Sequence, residues 1–414
     1  MLPNRGRILL YIGAPLLCLQ VMLLFLCFKA ARQRIVDFRG YYAAGQIVRT
    51  GDGQHLYNYE TQRIAQGMSP NLDISKMRFV APPFTALVFA PFSKLPFIPA
   101  YVAFLIFNLV AAGLALFLIR PSAPTLFAHA TAASAVLFLS FFPLGIALGQ
   151  GQLSVLLLLL YCAAHLAMQR NSPFFAGLLV SLALMKFQTA LPVALLFLVW
   201  RKWRFMGGFA LGAFVLFLIS LATVGVTHVG QIHAFSTNAL TAVRSGPRPG
   251  LDPSSMTNLY GLACFLLTKT WANIATIVAS VVLLAWAARK PASMPFAVLV
   301  ALCVSVHLYL HDLTLLLMPL IIMLDRQVRL GLFDSPRSDA SSKQRSPRQV
   351  AISISICLLL ASPLQLSFMG RGWLPLLAIP LLIVTITFPF SGERKENQHR
   401  PVGTLQDQSP IAAG

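Results

Sequence analysis

Residues 8–28 read ILLYIGAPLLCLQVMLLFLCF, an uncharged apolar run preceded by Arg5 and Arg7. About twenty such residues are what an α-helix needs to cross a hydrocarbon core roughly 30 Å thick. The run exceeds the roughly 7–15 residues of a signal-peptide core. It therefore reads as a retained anchor, although Ala30 and Ala31 imitate a cleavage site. Runs of the same kind recur to the end of the chain, so this reading decides the fold: an all-α polytopic membrane protein. The composition agrees. The mean hydropathy is +0.74, and charged residues make up 11% against about 25% in soluble chains, which excludes an ordinary soluble protein.

Outward from this segment the sequence predicts about twelve transmembrane or re-entrant helices in one membrane domain, residues 1–390. A first outer loop, about 29–79, reads as short amphipathic helices broken at Gly51-Asp52-Gly53 and Ser69-Pro70-Asn71. From Val80 to Pro99 the prolines imply a re-entrant or interfacial segment. Spans follow at Ala100–Leu118, Leu126–Leu148 and Leu153–Met168. Pro173–Trp200 carries Lys186 near its middle. It is either one long tilted helix or two short ones meeting at Lys186. Arg170 precedes it and Arg201-Lys202-Trp203-Arg204 follows it; two basic flanks on one side of the membrane favour the two short helices, with Pro192 shaping the return. Later spans are Phe205–Val224, Asn273–Ala288, Met294–Leu310, Leu313–Leu324, Ala351–Gln365 and Trp373–Phe388. A polar loop occupies 227–260. The basic, Ser-rich loop at about 326–348 and the tail 391–414 read as disordered.

The chain has 32 Lys and Arg against 12 Asp and Glu, a net charge of +20. No basic helix or aromatic-basic cluster points to nucleic acid. Basic helix flanks meeting anionic membrane lipids account for the excess. The short flanks are consistently basic if both termini are cytoplasmic, which turns the first loop toward the periplasm or its equivalent. The six cysteines lie in apolar segments and form no CxxC pair, so neither a disulfide framework nor a zinc site is indicated.

In so apolar a chain the membrane-proximal ionisable groups carry the information. Asp37 opens Asp37-Phe38-Arg39-Gly40-Tyr41-Tyr42 at the mouth of the first helix. Its structural alternatives are a salt bridge to Arg32, Arg34 or Arg39, or a helix cap. Asp52 and Asp252 read as turn residues, and Glu60 and Asp73 as solvated or capping residues. Asp312 follows His307 and His311, which would share a face of a continuous helix. That pair fits a histidine that orients substrate or shuttles a proton, or two packed histidines; with no further ligand cluster a metal site is not indicated. Lys186 at membrane depth needs a counter-charge or a wet cavity, and a phosphate-bearing lipid would supply the former. Arg32, Arg34, Arg39, Arg78, Arg244 and Arg248 make the outer face basic, as an anionic leaving group requires. Gln150 and Gln152 either bond sugar hydroxyls or end a helix.

Taken in order, Asp37-Phe38-x-x-Tyr41-Tyr42, Leu56-Tyr57, Phe79-Val80-Ala81-Pro82-Pro83-Phe84, Pro91-Phe92-Ser93-Lys94-Leu95-Pro96, Leu148-Gly149-Gln150-Gly151-Gln152, the Lys186 helix and the His307–Pro319 segment resemble glycosyltransferase family 87. The resemblance covers about residues 30–325. It implies a GT-C fold and a membrane-bound hexosyltransferase that takes its sugar, mannose in the mycobacterial members, from a polyprenyl-phosphate donor. The acceptor would be a lipid or glycan at the outer face of a bacterial cytoplasmic membrane. It implies Asp37 as general base in an inverting displacement, with His311 positioning acceptor or phosphate. Arg39, Tyr41, Tyr42, Gln150, Lys186, His307 and Asp312 would bind substrate. No cofactor and no metal is implied, though a substrate phosphate could recruit a divalent metal. An asparagine often follows the glutamine in the family's glycine-glutamine motif; here Gly151 does. The competing class is a multi-pass transporter or flippase, which would more often show internal repeats; none is visible here.

Overall fold

The computed structural model describes residues 3–67, 78–225, 252–329 and 347–390. Among these residues there is no strand, only an isolated bridge between Met256 and Tyr309. The helices are α1 (Pro3–Arg32), α2 (Phe38–Arg49), α3 (Tyr59–Ala65), α4 (Pro83–Phe89), α5 (Phe97–Ile119), α6 (Pro124–Leu139), α7 (Phe142–Gln150), α8 (Ser154–Gln169) and α9 (Pro173–Leu182). They continue as α10 (Phe187–Val199), α11 (Trp203–Val224), α12 (Leu259–Leu266), α13 (Lys269–Ala288), α14 (Met294–Val304), α15 (Leu317–Arg329), α16 (Pro347–Leu360), α17 (Ser362–Arg371) and α18 (Ala378–Ile386). The sequence expectations for Asp73, Arg244, Arg248, the Ser69-Pro70-Asn71 break, most of the 227–260 loop, most of the 326–348 loop and the 391–414 tail lie outside the described residues.

Among the described residues five helical runs have the length and apolar composition to cross a membrane, 14–32, 97–122, 173–199, 203–224 and 269–288, although 173–199 turns back on itself. A sixth is added if α16 and α17, bent by 68°, count as one. The chain is a multi-pass membrane protein. Several expected spans are broken. Leu126–Leu148 divides at Ser140 and Phe141 into α6 and α7, because Pro143 starts a new helix in its first turn. Met294–Leu310 stops at Val304. The Leu313–Leu324 segment begins as a 3-10 turn, Leu310–Leu316, before α15. The proline-rich stretch after Val80 forms only the short α4 and a 3-10 turn at Phe92–Lys94.

Pro173–Val199 is helical throughout, yet it doubles back at Lys186. A straight helix would hold Gly177 and Phe197 about 30 Å apart. Both pack on Phe205. A Cβ on Gly177 would lie 2.0 Å from the Phe205 carbonyl oxygen, and the Phe197 and Phe205 rings stack at 4.0 Å. The 3-10 segment Ala183–Lys186 makes the turn, with Lys186 itself off helical geometry at φ −125°, ψ 73°. Glycines make α9 and α11 pack backbone to backbone: a Cβ on Gly208 would lie 1.9 Å from the Phe174 carbonyl oxygen.

Six turns among the described residues share one motif, those before Asp52 and Trp373 and four tight reversals between helices. In the four reversals the N–H of Ile35, Gln152, Ser172 and Lys202 reaches back to the carbonyls of Ala30, Ala147, Ala167 and Phe197. Each follows a residue with left-handed φ: Arg34, Gly151, Asn171 and Arg201. The first two bring α1 and α7 to a common end, where Asp37 and α8 begin. The last two lie at the opposite end, among the short basic flanks Arg170 and Arg201-Lys202-Trp203-Arg204; the Asp37 end is basic as well, with Lys29, Arg32, Arg34 and Arg39. Arg120 is beside Ser122, which meets His165 and Gln169. Trp200, next to Arg201, donates to the carbonyl of Ala287, two residues before the Arg289-Lys290 pair. Asp325 accepts from Leu126 N–H and pairs with Arg329, and Arg348 reaches the carbonyl of Thr387.

Candidate functional site

Asp37 is placed by the end of α1 and by its neighbour Phe38. Arg34 reverses the chain. Phe38 is fully buried among Tyr42, Phe89, Phe97, Tyr101 and Phe104, with ring centroids 5.3–6.1 Å away. The Asp37 side chain precedes α2 but does not cap it, and among the described residues no Arg or Lys forms a direct ion pair with it. Its partners are glutamines. Gln150 Oε1 accepts from the Asp37 N–H at 3.2 Å, and Gln152 Nε2 donates to Asp37 Oδ2 at 2.5 Å. Both glutamines belong to the α7–α8 reversal, where Gly151 sits at φ +66° against Phe38. Tyr41, one turn along α2, donates to Gln152 Oε1 at 3.2 Å.

Two residues beyond Gln152 the second half begins. Ser154, the first residue of α8, donates to Asp312 Oδ1 at 2.8 Å and accepts from Lys186 Nζ at 3.0 Å. Lys186 forms an ion pair with the same carboxylate oxygen. Lys186, Ser154 and Asp312 are all buried. Asp312 also accepts from the Tyr309 N–H at 3.3 Å, and His311 Nε2 lies 3.5 Å from its other oxygen. The α7–α8 reversal, the α9–α10 turn and the segment after α14 therefore meet at one place. Asp37, Tyr41, Gln150, His307 and Tyr309 form its partly exposed rim. Gln152, Ser154, Lys186, His311 and Asp312 form its buried floor.

The histidines do come together, though not on one face of a helix. Asn258 donates to the Ser305 carbonyl where α14 ends, and the Met256–Tyr309 bridge holds Tyr309 extended. His307 lies in a bend before Tyr309, and His311 in the 3-10 turn that begins at Leu310. His307 and Tyr309 lie with ring centroids at 4.5 Å, and Tyr309 and His311 at 5.9 Å. No cluster of three or more metal-ligating side chains occurs among the described residues.

Two residues named from the sequence stand apart. Tyr42 donates to the Leu95 carbonyl at 2.8 Å and packs on Phe97, on another side of α2. Arg39 is buried in the first turn of α2, within electrostatic reach of Arg34. Asp52, Glu60 and Asp252 serve local structure: Asp52 bonds His55, Glu60 pairs with Arg63, and Asp252 caps the turn at Ser254. Ser154 and Tyr309 were not singled out in the sequence. A serine opening an apolar helix reads as an ordinary N-terminal residue, and its link to Asp312 spans 158 positions.

Burial pushes the Asp37 carboxyl above its ordinary value. The Gln152 hydrogen bond and the charge of Lys186 oppose the rise, and Asp312 adds to it. A carboxylate so placed, partly buried and within electrostatic reach of the buried Lys186, suits proton abstraction from a bound hydroxyl.

A family model described as Glycosyltransferase family 87 matches residues 79–319, more than half of the chain. The matched region holds Gln150 through Asp312 of the site and begins after Asp37. No curated protein and no solved structure gives a match.

Proposed function

The chain belongs to glycosyltransferase family 87, and from that premise we propose that it moves a hexose, mannose by preference, from a polyprenyl-phosphate donor to a lipid or glycan acceptor. Asp37 is the general base. It takes the proton of an acceptor hydroxyl as that oxygen bonds to the anomeric carbon. The bond from that carbon to the phosphate oxygen breaks on the opposite face, and the electron pair leaves with the polyprenyl phosphate, so the configuration inverts. A phosphate leaving group needs positive charge more than a general acid. Lys186 has three N–H donors. Asp312 and Ser154 take two, leaving the third for a phosphate oxygen, with His307 and His311 on the same side to orient it or the acceptor.

The observation that carries this reading is the seating of Asp37: a partly exposed carboxylate held by two glutamines rather than neutralised by an arginine. The short flanks at the far end, Arg170, Arg201-Lys202-Trp203-Arg204 and Arg289-Lys290, support a cytoplasmic placement for that end, because short flanks weigh more than long loops. Asp37 then faces the periplasm or cell exterior of a bacterial cytoplasmic membrane.

The test is transfer from radiolabelled polyprenyl-phosphate-mannose to endogenous acceptors in membranes carrying the native chain or Asp37→Asn at matched expression. Label transferred by the native chain and lost in the variant is the expected result, and the labelled product identifies the acceptor. Equal transfer by both removes Asp37 from the mechanism.

A further inference from the structure

We infer that Gln152 is a positioning residue for Asp37: anchored by Tyr41, its amide nitrogen fixes one carboxylate oxygen and leaves the other as the proton acceptor. The inference rests on the reading of Asp37 as base, and the chemistry of the three groups dictates it. An ionised carboxylate only accepts hydrogen bonds, so the amide must turn its NH₂ toward Asp37. The amide oxygen then faces Tyr41, whose hydroxyl donates to it. Each contact selects the orientation the other requires.

The anchor is itself held. Gln152 is buried. Its N–H bonds the Ala147 carbonyl at 2.8 Å, and its carbonyl accepts from Asn108 Nδ2 at 3.3 Å. Gln150 fixes the Asp37 backbone from the other side of Gly151. Among the described residues Oδ1 of Asp37 has no hydrogen bond, and the residue is partly exposed, so that oxygen is the one open to an acceptor hydroxyl.

The other ionisable groups facing Asp37 are Lys186, Asp312, Tyr41 and Tyr309. Lys186 and Asp312 are paired, so their fields at Asp37 largely cancel. The Gln152 amide is the leading local influence that favours the ionised carboxylate.

A hydrophobic carbodiimide tests this without any substrate. Dicyclohexylcarbodiimide adds to a protonated carboxyl, whose O–H adds across one N=C bond, and the adduct rearranges to a stable acylurea. Peptide mass spectrometry of the full chain in native membranes, labelled across a pH series, gives the midpoint of modification at Asp37. Gln152→Leu removes the donor and raises that midpoint by about 1–2 pH units. Tyr41→Phe frees the amide to turn and raises it by less, in the same direction; it also serves if Gln152→Leu does not fold. Midpoints unchanged or lowered in the folded variants overturn the inference.

The two readings fail separately. Sugar transfer retained by Asp37→Asn removes the base but leaves Gln152 to be judged on its midpoints. Unmoved midpoints beside an inactive Asp37→Asn keep the base and remove the positioning residue.

Discussion

Lys186 and Asp312, 126 residues apart in sequence, form a buried ion pair that ties the α9–α10 turn to the segment after α14, with Ser154 of α8 bonded to both. Removing one partner of such a pair strands a charge and costs about 3–5 kcal/mol, whereas removing both can be nearly neutral. Lys186→Met and Asp312→Asn should each melt well below the native protein in detergent. The double variant should melt above both singles. Losses that simply add would mean that the charges do not depend on each other.

Asp37→Asn should separate activity from stability. A general base contributes about 10²–10⁴ in rate, so transfer should fall by that much. Burial raises the Asp37 pKa in the fold. The stability that goes with its protonated form is present below the unfolded-state pKa and lost as pH rises through the folded one. Asparagine never ionises and escapes that loss. The variant should therefore melt no lower than the native protein at neutral pH. A large fall in melting temperature would mean that lost activity reports misfolding.

The native pH profile carries the same sign. A base works only when ionised, so transfer should rise with pH through the Asp37 pKa. Because that value is raised, the half-maximal point should lie above the roughly 3.9 of an unperturbed aspartate. A kcat/KM profile still flat well below that value would exclude a perturbed carboxylate as the essential base.

What could be read from the sequence follows the range of the interactions involved. Apolar run length is local, so α5, α8, α11 and α13 lie close to where the runs placed them. The turn at Lys186 was legible because a lysine interrupts an apolar run between two basic flanks. The end of α14 was not. It depends on Asn258 reaching the Ser305 carbonyl across 47 residues and on the bridge to Met256, neither of which leaves a trace near His307. The histidines were expected together on one helix face; they meet instead on either side of Tyr309, one in a bend and the other in a 3-10 turn. Gln152 was visible as a polar residue at a helix junction, but its partners Asp37 and Tyr41 lie 115 and 111 positions away.

Gly151 should tolerate no side chain. Its φ of +66° is left-handed, and a Cβ there would lie 2.7 Å from Cβ of Phe38. The backbone strain alone costs about 1–2 kcal/mol, and Phe38 is locked in its aromatic cluster. Gly151→Ala should lower the melting temperature and reduce transfer together, since the same reversal carries Gln150 and Gln152. An unchanged variant would mean that the reversal is less constrained than its geometry requires.

The doubling back at Lys186 has a consequence for sidedness. If Pro173–Val199 crossed the membrane once, Asn171 and Lys202 would face opposite compartments. Folded back, they share one, and in the proposed orientation it is not the one faced by Asp37. Single cysteines at 171, at 202 and at Gln33 beside the α1 reversal can be probed with a membrane-impermeant maleimide in intact cells, with the native chain as baseline. Positions 171 and 202 should be protected until the membrane is permeabilised, while 33 reacts from outside. Reaction at only one of 171 and 202 in intact cells would unfold the hairpin into a single span. It would also put the Arg170 flank and the Arg201–Arg204 flank on opposite sides, against the rule that short basic flanks share the cytoplasmic side.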